Sequence, residues 1–197
     1  MMDNPNPHLG QLFTLPPSTF HQTPESITMS DSARETIQAE YESALSGLVE
    51  CYANEIPQII REPLDDVEDM TAAVVGFGDL EFSGSAILLA TVPNAKALSE
   101  SAPLNPTDWL GELGNQVVGR LKNKLAAYGV LPQLGSPVTI RGKHLDFSSV
   151  GGKTETWLVR WSGGELRSML SLHVKDHFVL SLDPSTVPAE EGSLSMF

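Results

Sequence analysis

Cysteine is nearly absent. The lone Cys51 rules out an internal disulfide and offers no metal cluster. It falls in a helical apolar pattern, which predicts a small buried side chain. Basic residues are also few: 12 Lys and Arg against 25 Asp and Glu, a formal net charge of -13. The imbalance is local, because residues 1–79 hold 14 of the acids and only two of the bases. Such a surface repels nucleic acid and anionic lipid, which argues against either as the main partner. Whether the acids only solvate a surface or steer a partner stays open at this level. Long apolar runs are missing too. Residues 72–77 and 86–92 are the longest, far short of the roughly 20 residues of a membrane span. No positively charged start followed by an apolar stretch occurs in residues 1–29, so no signal peptide is expected and the cytoplasm is the default location.

What is present is enough for one core. Hydrophobic residues make up 41% of the 197 positions, and charged residues, at 19%, are too few for a wholly disordered chain. Residues 1–29 contain five prolines and no apolar period, which predicts a disordered Pro-rich lead-in. Residues 184–197 read as a second disordered tail. One domain over residues 30–183 remains.

Within it, Ile37, Tyr41, Ala44, Leu45, Leu48 and Tyr52 recur at helical spacing and predict a helix over 31–52, with Ser30 as a possible cap. Glu40, Glu42 and Glu50 are then expected on its wet side. Strands are expected at 56–61, 71–77 and 84–91, then a short helix at 94–100. A second long helix runs from Asp108 to Tyr128. Asn105 caps it, Pro106 fits its first turn, Asp108 reaches back as in a capping box, and Gly129 closes it. Strands follow at 137–141, 156–161 and 166–174, the last two joined at Ser162-Gly163-Gly164, with a further short strand possible at 178–182. The whole is an α+β domain: a mostly antiparallel sheet of about six strands with two long helices packed on one face. Helix then three strands occurs twice, the pattern of an internal pseudo-repeat.

The second long helix holds the candidate chemistry. At 100° per residue, Leu110, Val117, Leu121 and Tyr128 fall within about 20° of one direction, the buried stripe. Asp108, Glu112, Asn115 and Gly119 fall at about 160°, 200°, 140° and 180° from it, a narrow strip facing solvent. Gly111, Gly114 and Gly119 stand inside this helix, where each costs about 1 kcal/mol relative to alanine. Gly114 lies near the stripe and suits close helix–sheet packing. Gly119 lies on the strip and would admit a closely approaching partner. From spacing alone, the simpler reading is that Asp108 is a plain cap and that Glu112 and Asn115 are ordinary surface residues.

The pattern Asp108-x-x-x-Glu112-x-x-Asn115, followed after 21 residues by Pro137, resembles the signature of the CheC/CheX/FliY family of chemotaxis phosphatases. The run Gly111-Glu112-Leu113-Gly114-Asn115-Gln116-Val117-Val118-Gly119 is similar to that family as well, and the resemblance extends in element order over about residues 31–174. A second copy is not intact. Ser46-x-x-x-Glu50 is followed by Ala53 where the amide belongs, and Asp31-x-x-x-Glu35-x-x-Gln38 has Gln for Asn. One site makes the chain resemble CheX most. The resemblance implies a phosphatase acting on the aspartyl phosphate of a CheY-like response regulator. Asn115 would orient the attacking water and Glu112 would pair with a receiver cation. Asp108, Gly111 and Gly119 would meet the partner. It implies a homodimer, no cofactor of its own, and Mg2+ in the receiver's site. The alternative is a non-catalytic adaptor that docks a receiver or a flagellar-switch component.

Other constellations are weaker. Gly151-Gly152-Lys153-Thr154 ends like a phosphate loop, but position 147 is Phe where that loop needs glycine, so a hairpin turn is expected. His173 and His177, even with Asp176 between them, do not share an assured face and have no convincing third metal ligand nearby. His144 and Asp146 lack a nucleophile. Trp157 and Trp161 share a strand face and are expected in core or dimer packing.

Overall fold

The computed structural model describes residues 29–64, 69–99, 105–148 and 152–183. The expected lead-in and tail lie outside the described residues, apart from Met29, which already opens the first helix. Helix α1 (Met29–Ala53) buries Ala33, Ile37, Tyr41, Ala44, Leu45, Leu48 and Val49 along one side. It ends where Asn54 turns left-handed (φ 58°) and donates its N–H to Glu50 O at 2.9 Å. Strands β1 (Gln58–Arg61), β2 (Met70–Gly78) and β3 (Phe82–Ala90) follow, then α2 (Val92–Ala97), α3 (Pro106–Ala126), β4 (Gln133–Leu134), β5 (Val138–Gly142), β6 (Lys153–Trp161) and β7 (Gly164–Val174). Among the described residues no helix is long and apolar enough to cross a membrane.

All strand pairs are antiparallel, in the order β1-β6-β7-β3-β2, with β4 and β5 sharing the outer edge of β2. The sheet thus has seven strands where about six were expected. The extra one arises because Pro137 cannot donate to the ladder, and the edge strand breaks into β4 and β5 around it. Local turn signals favoured neighbours in sequence as neighbours in space. That holds for β2–β3 and β6–β7 but fails for β1, which pairs with β6 of the other half. Exchanging β1 with β5, β2 with β6 and β3 with β7 leaves the strand order unchanged, so the two helix-plus-three-strand halves form a pseudo-twofold unit that swaps edge strands.

Both long helices lie on one sheet face. The main core joins α1 and α3 to Ala73, Val75, Leu88, Trp157, Val159, Leu170 and Leu172. A smaller cluster of Met70, Ala72, Ile87, Leu89 and Met169 fills part of the other face. Tyr41 OH and Ser168 Oγ share a hydrogen bond at 2.7 Å inside the core. Burial raises the Tyr41 hydroxyl far above the usual phenol range, and the Ser168 bond opposes that only in part.

Four local expectations change. Residues 178–182 are not a strand: Phe178 stacks on Phe82 (5.7 Å between centroids), and Asp183 N–H reaches Ala127 O at 2.9 Å, so the segment folds back over the end of α3. Glu40 and Glu42 are half-buried bridges, not a wet side. Glu40 accepts from Tyr128 OH at 2.9 Å, while Glu42 accepts from Trp157 Nε1 at 3.0 Å and from Arg61 at 3.0 and 3.1 Å. Cys51 is exposed, because it sits just off the stripe of Leu45, Leu48 and Val49. Lys153 and Thr154 open β6 and do not form a turn.

Helix α3 closes as its sequence predicts. Gly129 is left-handed (φ 72°). Its N–H donates to Ala126 O at 2.9 Å and Val130 N–H to Leu125 O at 3.2 Å, the paired bonds of a Schellman cap. Gly129→Ala should lower unfolding free energy by about 1 kcal/mol in urea titration, because a Cβ is strained there; unchanged stability would remove that role.

Candidate functional site

Helix α3 is fixed at its start by its own side chains. Asn105 Oδ1 accepts the N–H groups of Thr107 (2.9 Å) and Asp108 (3.0 Å), and Asn105 Nδ2 donates to the Asp108 carboxylate. Asp108 therefore reaches back to the cap residue's amide, not to its backbone. It is exposed, but its carboxylate is already engaged.

The roll of α3 about its axis is set by what it buries: Trp109, Leu110, Leu113, Val117, Val118, Leu121 and Leu125 face the core. Two glycines let the helix approach closely. A Cβ on Gly114 would lie 3.3 Å from both Ala73 Cβ and Val75 Cγ2, and one on Gly111 would lie 2.9 Å from Thr139 Cγ2. Gly111 was expected at the partner surface. It is buried instead, and its missing side chain serves the approach of β5. Gly119 lies on the opposite side, where a Cβ would meet nothing within 4 Å.

With that roll, Asp108, Glu112, Asn115 and Gly119 share the side turned away from the sheet. Asp108 is exposed and the other three are half-exposed. Residues three and four apart on a helix are neighbours, so the Glu112 carboxylate and the Asn115 amide stand side by side. Glu112 is not free-standing. Its Oε1 accepts from Gln116 Nε2 at 3.0 Å, and Gln116 Oε1 accepts from Tyr52 OH at 2.8 Å. No task was expected of Gln116 from the sequence. Its spacing of four from Glu112 was the available signal.

The remaining candidates are not gathered here. Lys153 pairs with Asp31 at 2.9 Å at the far end of α1. His177 Nε2 lies 2.8 Å from Glu81, and His173 is exposed on β7. His144 lies in a loop with φ 51°. Trp157 is buried against Tyr41 (5.4 Å), with Arg61 over its ring. Among the described residues no three His, Cys, Asp or Glu side chains come together as metal ligands. The α1 copies of the motif are not presented alike. Gln38 is buried, and Ala53 packs against the core where an amide is needed.

No family model matches the chain, and no curated protein is similar to it in sequence. Solved structures do match. A CheC-like protein from Shewanella oneidensis superposes with a TM-score of 0.61 at 15% identity, over 71% of this chain and 99% of that one. CheX from Vibrio vulnificus gives 0.60 at 15%, over 70% and 99%. CheX from Borrelia burgdorferi, solved in a complex with CheY, BeF3 and Mg2+, gives 0.57 at 14%, over 70% and 97%.

The chain has the CheX/CheC fold.

These matches span nearly the whole of each CheX-like structure, so the similarity is of a complete domain. The α+β class with helices on one sheet face, read from the sequence, is that fold.

The glycines of this CheX-like helix separate packing from exposure. Gly119→Ala should raise unfolding free energy by about 1 kcal/mol, since alanine is the better helix former and nothing opposes its methyl. Gly114→Val should lower it by about 1–3 kcal/mol through overpacking against Ala73 and Val75. Urea denaturation of both variants checks the assigned roll, and equal effects at the two positions would contradict it.

Proposed function

We propose that the protein is a phosphatase for the aspartyl phosphate of a CheY-like response regulator. The observation that carries this reading is the pairing of Glu112 and Asn115 on the outward side of α3, within a fold shared with a CheX solved on CheY. BeF3, tetrahedral and anionic once joined to a carboxylate oxygen, resembles a phosphoryl group.

The reaction asks little covalent chemistry of the phosphatase. An aspartyl phosphate is a mixed anhydride. A water oxygen attacks phosphorus, the bond to the carboxylate oxygen breaks, and inorganic phosphate and a free carboxylate result. The receiver's own divalent cation and Lys can neutralise the developing charge, so the helper's contribution is positioning. Asn115 suits that task. Its carbonyl accepts from the water, its NH2 donates to a neighbouring oxygen, and it carries no charge to repel the phosphoryl group.

Glu112 pairs with a receiver cation and sets the register between the two proteins, a charge-assisted contact. Asp108 holds the helix start and borders the docking face, and Gly119 leaves room beside it. In this reading the chain needs no metal of its own.

Phosphate release from a phosphorylated CheY-like receiver tests the reading. Wild type should accelerate release. Asn115→Ala should lose that acceleration by on the order of 10²-fold or more with an unchanged melting temperature, the scale for removing one positioned polar group. An active Asn115→Ala variant would remove the mechanism, and tight receiver binding without faster release by wild type would leave a docking role only.

A further inference from the structure

Glu112 is the last member of a hydrogen-bond chain that begins on the other long helix. Tyr52, at the end of α1, donates its hydroxyl to Gln116 Oε1 at 2.8 Å, and Gln116 Nε2 donates to Glu112 Oε1 at 3.0 Å. The Tyr52 ring is seated edge-on against buried Trp109, with centroids 5.1 Å apart at 89°. A ring packed this way presents its hydroxyl in a fixed direction. An amide has one accepting and one donating end. A carboxylate can only accept, so Gln116 must turn its NH2 toward Glu112, and its oxygen is left to accept from the tyrosine hydroxyl. The flipped amide would set oxygen against oxygen at Glu112.

We infer that Tyr52 and Gln116 are positioning residues that hold Glu112 ready for its partner. This rests on the reading of Glu112 as the group that meets a receiver cation. One carboxylate oxygen is engaged by Gln116, so Oε2 is the one left for the incoming cation. A half-exposed glutamate on a helix otherwise samples several rotamers, and all but one must be given up on docking. Here that ordering is done in the unbound protein by α1, which the outward strip itself does not include. The chain also makes the site depend on the α1–α3 contact. The α3 sequence alone does not complete it.

Glu112 acts before and during phosphoryl transfer alike, so loosening it weakens receiver binding more than it slows the chemical step. Tyr52→Phe keeps the ring on Trp109 and deletes only the hydroxyl. Gln116→Met keeps the length of the side chain and deletes the amide. With the full-length protein and a phosphorylated CheY-like receiver, each should raise KM about three- to tenfold, the scale for one unfrozen side chain. In both, kcat should fall less than about twofold on the same scale, and melting temperatures should stay near wild type. Dissociation constants for the receiver charged with beryllium trifluoride and Mg2+ should rise in parallel. The split of KM from kcat is a readout that a packing role would not move, because lost folding lowers the active fraction and not the affinity of what remains.

Wild-type KM and affinity in both Tyr52→Phe and Gln116→Met, with Glu112→Gln impaired, would overturn the positioning role alone. Losses that track a lowered melting temperature would overturn it too, as would a fall in kcat with KM unchanged. A fully active Glu112→Gln would instead sink the reading of Glu112 itself, and the inference with it.

Discussion

The close seat of α3 on the sheet is the constraint on which the rest depends. A helix can roll about its axis unless something fixes it. Here Leu110, Leu113, Val117, Leu121 and Leu125 fill the core on one side, and Gly114 allows Ala73 and Val75 within contact. Any other roll would expose several leucines, each worth about 1.5–3 kcal/mol when buried, or drive a side chain into β2. The outward placing of Glu112 and Asn115 is thus a by-product of packing. The helix bears three internal glycines, and at two of them strand side chains come within 3.3 Å of where a Cβ would stand.

The second helix is held to the first by polar contacts as well as by apolar ones. Tyr128 and Lys124 meet Glu40 toward one end of the pair, and Tyr52 meets Gln116 toward the other. Partial desolvation and the Glu40 carboxylate both raise the Tyr128 hydroxyl above its ordinary value. Two of the acids of the first half are thus taken up locally: Glu40 and Glu42 are satisfied acceptors on α1, while Glu50 stays exposed. The two halves resemble each other in strand order yet differ at their helices. Where α3 presents a carboxylate and an amide, α1 ties Glu42 to Arg61 and Trp157 and lacks the amide at Ala53.

Much of this was legible in the sequence. The wheel through Leu110 gave the buried stripe and the outward strip of α3, because the 3.6-residue period carries both. Asn105, Pro106 and Gly129 gave its ends, because capping is local chemistry. What escaped was set by distant partners. The pairing of β1 with β6 has no local signal, since its register lies in residues about a hundred positions away. Gly111 was assigned to the partner surface by association with its motif and is buried where Thr139 of β5 packs over it. Glu40 and Glu42 had the spacing of a wet face. Only the fold brings Tyr128, Arg61 and Trp157 to them.

The central claim is that a phosphorylated partner protein is received on the outward side of α3. Chemical-shift mapping of the isotope-labelled protein, titrated with a CheY-like receiver charged with beryllium trifluoride and Mg2+, tests it most directly. The largest amide shifts should cluster on Asp108, Glu112, Asn115 and Gly119 and their helical neighbours. Shifts concentrated instead on the opposite sheet face, around Ala72, Ile87 and Met169, with α3 unmoved, would contradict it.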